Sequence, residues 1–273
     1  MLTTARTLGA TAAMALVGLT AAAPAHAADD AHVSILHGVP GATVDVYVNG
    51  DVLLEDFKPG TLTDPQALPE GEYDLKVTAP DAGADGDAII EAQDVTVPAG
   101  ANITVVAHLD ADGNPALTPF VNDTKPIAAG KSRLTVRHTA AAPAVDVRAN
   151  GEVAFPGLTN PDEVSADLAA GTIKADVVLA GTDTVALGPA DLDLAEGTHT
   201  IVYAWGSAEE ETLQLATQSI TGMHSAPTGV PSGEGGQVAA ADEAARYGMV
   251  ALGALAAGGL VLGATRRTAR QRA

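Results

Sequence analysis

A segment that occurs twice constrains the fold of this chain more than any other feature of its sequence. From Ile35 the sequence reads ILHGVPGATVDVYVNG, and from Val136 it reads VRHTAAAPAVDVRANG. A shift of 101 positions aligns the two segments, and further matches follow at shifts of 100 and 97 positions. Solenoid units repeat every ~20 to 50 residues, so this longer period indicates a duplicated domain. We predict two tandem domains, residues 28–124 and 132–224, joined by a short linker at residues 125–131.

Each copy has the pattern of short β-strands separated by tight turns. In the first copy Val44, Val46 and Val48 fall on one face and Asp45 on the other, which is the alternation of a half-buried strand. An Asn-Gly pair follows this strand in both copies, and Asn-Gly is the pair that a type I′ hairpin turn prefers. Turn signals recur about every 8 to 12 residues. We therefore predict an all-β fold of two tandem immunoglobulin-like antiparallel β-sandwich domains.

The N-terminus has the composition of a targeting segment. Residues 1–27 carry one cation, then an apolar run, and then an Ala-His-Ala sequence. This pattern predicts a secretory signal peptide that is cleaved between Ala27 and Ala28. A secreted chain could form disulfides, but this sequence contains no cysteine, which excludes thiol catalysis and thiolate metal sites.

The C-terminal region predicts a membrane anchor. The 18 residues from Tyr247 to Ala264 carry no charge, and as a helix they would span roughly 27 Å of a hydrocarbon core of ~30 Å. We predict a transmembrane helix at 246–264, preceded by a flexible tether at 225–245. The basic tail at 265–273 predicts a cytoplasmic C-terminus, so we expect a single-pass protein of the cell membrane with an extracellular ectodomain.

The two predicted domains are strongly acidic. Residues 28–225 contain 31 acidic and 8 basic side chains, which gives a net charge of 8 − 31 = −23. A polyanion repels nucleic acid, so we expect no nucleic-acid partner. The charge would attract cations or basic partners, or it serves only to keep the surface solvated.

The repeated histidine and aspartate could form a catalytic pair or hold together a duplicated scaffold. Catalysis needs contact between the two side chains and a nucleophile beside them. Strand alternation places His37 on the core side and Asp45 on the opposite face, and Ser34 faces away from the histidine. The scaffold hypothesis expects a buried imidazole bonded to a loop carbonyl and an aspartate bonded to backbone N–H groups. We adopt it and predict no catalytic residue; the repeated structural motif is His37, Asp45, Asn49, Gly50, His138, Asp146, Asn150 and Gly151.

Two acidic turns are candidate Ca²⁺ sites. The strings DAGADGD and DADGN combine carboxylates with glycines, and Ca²⁺ takes oxygen ligands of this kind. The second string lacks the glutamate that an EF-hand loop requires, and Asp-Gly is also common in turns between strands. The histidines have no transition-metal spacing, and we predict no cofactor. The candidate Ca²⁺ ligands are Asp81, Asp85, Asp87, Asp110 and Asp112.

The string from Val33 to Gly50 resembles the signature of the bacterial domain-of-unknown-function family numbered 4397. That signature is a hydrophobic strand, a histidine, a Pro/Ala loop, then Val-Asp-Val-Tyr and an Asn/Asp-Gly turn. Both copies match it, although the second has Arg148 where the first has Tyr47. The resemblance implies a secreted, tandemly repeated β-sandwich of the bacterial envelope. It implies no reaction and no catalytic residues.

Together these patterns favour a non-enzymatic protein of the bacterial cell envelope. We expect a structural, adhesive or recognition module whose partner is an envelope protein or polysaccharide. The alternatives are an extracytoplasmic hydrolase, with a His/Asp or paired-carboxylate site, and a Ca²⁺-binding surface module. Aromatic residues, which commonly form sugar platforms, make up 3% of the chain, and its one tryptophan, Trp205, lies on a predicted strand and is expected in the core.

Overall fold

The computed structural model describes residues 29–225. The predicted signal peptide, transmembrane helix and basic tail lie outside these residues, as does the tether after its first residue. The described part of the chain confirms the all-β prediction, because it contains sixteen strands in four sheets and no helix. Accordingly, residues 29–225 contain no helix that could cross a membrane.

Eight strands come from the first repeat and build two four-stranded sheets. They are β1 (Ala31–His37), β2 (Val44–Val48), β3 (Asp51–Phe57), β4 (Gln66–Leu68), β5 (Gly71–Thr78), β6 (Ala88–Val97), β7 (Asn102–Leu109) and β8 (Pro115–Val121). One sheet has the order β4-β1-β7-β8 and the other has the order β3-β2-β5-β6.

The second repeat builds two sheets in the same way. Its strands are β9 (Lys131–Ala141), β10 (Val145–Ala149), β11 (Glu152–Leu158), β12 (Glu163–Ala169), β13 (Gly171–Leu179), β14 (Val185–Leu194), β15 (His199–Ser207) and β16 (Gln214–Ile220). The sheet orders are β12-β9-β15-β16 and β11-β10-β13-β14, which repeat the orders of the first half strand for strand.

The core of each repeat lies between its two sheets. In the first, Ile35 of β1 packs in one cluster with Val46 and Val77 of the opposite sheet. In the second, Val136 of β9 packs in one cluster with Val147 of β10. Side chains of both sheets interdigitate in this way in a β-sandwich. Burial of each such side chain contributes about 1.5 to 3 kcal/mol, and the sandwiches contain no disulfide that could add to it.

One pairing departs from the antiparallel sandwich that the sequence predicts. Strand β1 runs parallel to β7, with Val33 opposite Ile103 and Ile35 opposite Val105. On its other side β1 pairs antiparallel with β4. The prediction was therefore wrong for the β1–β7 pair, whereas β7 and β8 pair antiparallel as expected. Period-two alternation identifies a strand and its two faces, but it carries no information about the direction of the neighbouring strand.

The chain divides into two compact units whose boundaries differ from those of the sequence repeats. The first unit runs to Asp123 and also includes Thr139–Ala142 and Trp205–Gln214. Trp205 is 3% exposed, as expected of a core residue, and in this first unit its ring lies over Gly60. A Cβ at Gly60 would lie 2.9 Å from Cζ2 of the indole, so only glycine fits there without a shift.

The Asn-Gly pairs form the hairpin turns that connect β2 to β3 and β10 to β11. The φ angles are 51° at Asn49 and 85° at Gly50, and 53° at Asn150 and 85° at Gly151. Positive φ at both central residues is the requirement of a type I′ turn. Alanine at the glycine positions would be strained although nothing lies within 4 Å of the added Cβ.

We expect Gly50→Ala to lower the free energy of unfolding by about 1 to 2 kcal/mol, because an L-residue is forced into the left-handed region. Chemical denaturation with a two-state fit measures the change. The matched control is Gly71→Ala, since the Gly71 backbone is not left-handed and its nearest neighbour, a ring carbon of Tyr73, is 3.7 Å away. Equal losses in both variants would contradict the prediction.

Candidate functional site

His37 ends β1 and holds the loop that leads to β2. Its side chain is buried, with 1% of its surface exposed. The Nε2 atom lies 2.8 Å from the carbonyl oxygen of Ala42, and the backbone N–H of Val39 donates to Nδ1 at 3.3 Å. One ring nitrogen therefore donates and the other accepts, as in a neutral imidazole. The ring also lies 5.5 Å from the ring of Phe57.

His138 occupies the equivalent place in the second copy. It is also 1% exposed, and its Nε2 lies 3.1 Å from the carbonyl oxygen of Pro143, in the loop between β9 and β10. Burial lowers the pKa of both imidazoles below the ordinary value, and the bonds to the carbonyls of Ala42 and Pro143 oppose this effect only in part. Both histidines are therefore neutral side chains of the scaffold at neutral pH.

Asp45 ties two separate parts of the backbone to β2. Its Oδ1 accepts the N–H of Asp56 at 2.9 Å, and its Oδ2 accepts the N–H of Asp81 at 3.1 Å. Asp56 lies in β3 and Asp81 in the loop between β5 and β6. Alternation places Asp45 on the face away from the core, yet the residue is only 6% exposed because these two segments close around its carboxylate.

Asp146 repeats the arrangement in the second copy. Its two oxygens accept the N–H groups of Gly157 and Gly181 at 2.7 and 2.8 Å. These two bonds lower the pKa of Asp146. The four donors share positive φ angles, although their residue types differ between copies: Asp56 (51°), Asp81 (61°), Gly157 (66°) and Gly181 (72°). The conformation is duplicated here even where the sequence is not.

The asparagine of each hairpin turn is fastened to the neighbouring strand. The backbone N–H of Asn49 donates to the carbonyl of Asp74 at 2.8 Å, and its Oδ1 accepts the N–H of Asp74 at 2.9 Å. Asn150 makes the same two bonds with Lys174, at 2.7 and 3.0 Å. The side-chain amide therefore continues the sheet ladder beyond the end of the strand.

The histidine and the aspartate of the first copy are bonded to backbone groups and not to each other. Both ring nitrogens of His37 and both carboxylate oxygens of Asp45 are engaged with backbone groups of the molecule itself. A general base must instead reach the proton that it removes from a substrate. The bonds of these two residues position the loop between β1 and β2, strand β3, and the loop between β5 and β6.

The second unit also contains a polar row that the sequence did not predict, and three of its four residues are buried while Glu163 at its end is exposed. Arg137, which is 1% exposed, donates from Nε to Oε2 of Glu163 at 2.7 Å and from Nη1 to the hydroxyl of Tyr203 at 2.7 Å. The Tyr203 hydroxyl donates to Oε1 of Gln218 at 2.6 Å. The row thus takes one residue from each of β12, β9, β15 and β16, in the order in which these strands neighbour one another.

A second row crosses three strands of the same sheet. The Thr135 hydroxyl donates to Oγ of Ser165 at 2.9 Å and lies 2.7 Å from Nε2 of His199. In the sequence of β9, polar residues alternate with Leu134 and Val136. This is also the pattern of a strand with one solvent-facing side, so alternation gave no signal that the polar face is buried.

One of the two acidic turns uses a carboxylate to bond its own backbone. In the turn between β7 and β8, Oδ1 of Asp110 accepts the N–H groups of Asp112 and Asn114 at 2.9 and 2.8 Å, and the bond from Asn114 is the main cause of a lowered Asp110 pKa. Within residues 29–225 no group of three or more His, Asp or Glu side chains is placed to hold a metal ion. The candidate Ca²⁺ ligands therefore form no such group: Asp81, Asp85, Asp87, Asp110 and Asp112.

A known family model covers the first of these sites. Residues 31–148 match the family described as a domain of unknown function (DUF4397). The match begins with β1 and ends inside β10. It contains His37 and Asp45, and it reaches His138 and Asp146 of the second repeat but not Asn150 and Gly151. The resemblance predicted from the sequence is confirmed over these residues, as a single match.

The other comparisons add little to this. No curated protein matches the chain. Among solved structures, a candidate cell adhesion protein from Bacteroides ovatus ATCC 8483 is 13% identical in sequence, and the similarity covers 74% of this chain and all of that one. Its TM-score of 0.21 is too low to indicate a shared arrangement.

We expect Asp45→Ala to lower the free energy of unfolding by about 2 to 4 kcal/mol, because two backbone N–H groups lose a charged acceptor in a buried place. Denaturant unfolding measures the loss. Asp51→Ala is the matched control, since Asp51 is exposed in the same hairpin and its loss should stay within about 0.5 kcal/mol. A similar effect of both substitutions would argue against the fastening role of Asp45.

We also expect stability to fall on mild acidification because of His37 and His138. Their folded pKa values lie below the unfolded value of about 6.5, so the unfolded chain binds protons first. The free energy of unfolding is then highest above pH 6.5 and falls as the pH drops toward the lowered folded values.

Replacing His37 by Gln should reduce this slope by up to about 1.4 kcal/mol per pH unit, the contribution of one proton. Denaturation curves between pH 5 and 7.5 measure it, in a range above the titration of the carboxylates. The exposed His32, replaced in the same way, serves as the control and should leave the slope unchanged. An unaltered slope in His37→Gln would contradict the assignment.

Proposed function

We propose that this protein is a non-enzymatic module of the bacterial cell envelope, with a structural, adhesive or recognition role toward an envelope protein or polysaccharide. One observation carries the proposal: the repeated His/Asp motif is bonded to backbone groups of its own loops. A motif whose polar atoms bond two loops and one neighbouring strand is built to hold and display those segments rather than to transform a substrate.

The duplication supports the same conclusion. Asp45 and Asp146 each hold two N–H groups of equivalent segments, and His37 and His138 each bond the carbonyl of an equivalent loop. Two copies of a domain both require their loops to be held. A duplicated module has no comparable need for two copies of one active site.

The proposal extends to the arrangement of the whole chain. We propose that the second repeat is a second copy of the same domain, that both sandwiches are immunoglobulin-like, and that the chain is exported and then retained by the helix at 246–264. The shared strand order of the two repeats supports the first point. The leader at 1–27, the uncharged segment and the arginines after it support the last.

The acidic surface restricts the partner. With a net charge of −23 over residues 28–225, the ectodomain repels anionic lipid and anionic polymers. A neutral polysaccharide or a protein with a basic patch fits this surface, and binding to the latter would weaken as salt is added.

Binding to isolated envelopes tests the proposal. Envelopes from the source bacterium, prepared from cells that lack this gene, are incubated with the purified full chain and sedimented. We expect saturable binding and no release of soluble envelope fragments, and we expect weaker binding by folded His37→Gln and Asp45→Asn chains because the displayed segments lose these bonds. The absence of saturable binding would overturn the proposal, and so would fragment release that His37→Gln abolishes.

A further inference from the structure

The second sandwich contains a cavity that the first sandwich lacks. It lies between the sheets β12-β9-β15-β16 and β11-β10-β13-β14 and has a volume of about 250 Å³. The equivalent space of the first sandwich measures about 40 Å³, which is little more than a packing defect. Since the strand orders are the same, side chains and not topology must create the difference.

Three alanines account for much of the enlarged space. Ala149, Ala154 and Ala175 line the large cavity, and the corresponding residues Val48, Leu53 and Leu75 line the small one. The correspondence follows from the register, because Val48 pairs with Leu75 and Ala149 pairs with Ala175. The second copy has two side-chain carbons fewer at the first position and three fewer at each of the others. Phe155 is larger than Leu54, the corresponding residue of the first repeat, but it fills only part of this lost volume.

The cavity is also open to solvent along one edge. The cavity reaches the edge strands of both sheets, because Leu187 of β14 and Thr217 of β16 are among its lining residues. Leu215 of β16 lines the cavity and is 40% exposed, which is unusual for a leucine at the border of a core. A small molecule can therefore enter between these two strands.

The walls are apolar and the charges at the rim are already neutralised. Leu134, Val147 and Leu187 are among the wall residues. At the rim, Arg148 forms a bidentate ion pair with Asp176, with both distances at 2.7 Å, and Asp191 pairs with Lys174 at 2.8 Å. A charged ligand would find no unpaired counter-charge here and would lose its hydration, so the site favours a neutral ligand.

We propose that this cavity is a binding site for a small, neutral, apolar molecule of about the size of one substituted aromatic ring. An engineered apolar cavity of about 150 Å³ binds benzene, so about 250 Å³ accommodates a ring with a short substituent. Protein cores rarely leave a void of this size, and the first repeat shows that the same fold packs closed when Val and Leu occupy the three positions.

The inference goes beyond the envelope role and does not depend on it. Recognition of an envelope component uses displayed loops, whereas this site lies inside one sandwich. Failure of either proposal would leave the other intact, because the two are tested with different probes.

Methyl NMR of the full chain, labelled at Leu and Val, tests the site with benzene as the probe and benzoate as its charged counterpart. We expect benzene to shift the methyl signals of Leu134, Val147 and Leu187 saturably and to leave Val46 and Val77 of the first unit unchanged. Benzoate should bind at least tenfold more weakly. No saturable shift with benzene, or equal binding of benzoate, would overturn the proposal.

A second test uses variants in which cavity alanines are replaced by the corresponding residues of the first repeat. Ala175→Leu and Ala149→Val should each weaken benzene binding at least tenfold, because they refill the cavity. Ala169→Leu adds the same side chain at an exposed position outside the cavity and should bind benzene as the wild type does. The two filling variants are independent, so one suffices if the other does not fold, and retained methyl dispersion identifies the folded ones. Undiminished binding in a folded filling variant would place the site elsewhere and overturn the proposal.

Discussion

The loops of both sandwiches depend on one kind of contact, a buried carboxylate that accepts backbone N–H groups from two distant segments. Asp45 joins β2 to β3 and to the loop after β5, and Asp146 does the same in the second copy. The chain has no cysteine, so no disulfide adds to these bonds. The adjacent imidazoles of His37 and His138 complete the fastening by holding the loop that precedes the aspartate strand.

Because this frame is kept, the two copies are free to differ elsewhere. The first sandwich closes its core, while the second replaces three wall residues by alanine and opens a cavity of about 250 Å³. At the rim of that cavity the tyrosine of the first copy becomes Arg148, which Asp176 neutralises. The conserved frame thus supports one sandwich with a filled core and one with room for a ligand.

Much of the frame could be predicted from sequence, but little of the chemistry around it. Alternation at Val44, Val46 and Val48 indicates the strand and its core face, and the Asn-Gly pair indicates the turn. The residues that donate N–H groups to Asp45 and Asp146 could not be identified from the sequence. The equivalent donors Asp56 and Gly157, for example, differ in residue type and share only a positive φ angle. The hydrogen-bonded row of Arg137, Glu163, Tyr203 and Gln218 could not be predicted either, because its members are far apart in the chain.

The sequence by itself determined the local elements and their duplication, because strand alternation and turn chemistry act over a few residues and recur at a constant shift. Tertiary structure decided which strands became neighbours, including the parallel pair β1 and β7. It also decided that Asp45 is buried and that three alanines border one cavity. These outcomes depend on segments that are dozens of residues apart, and a periodic pattern does not record which distant segments meet.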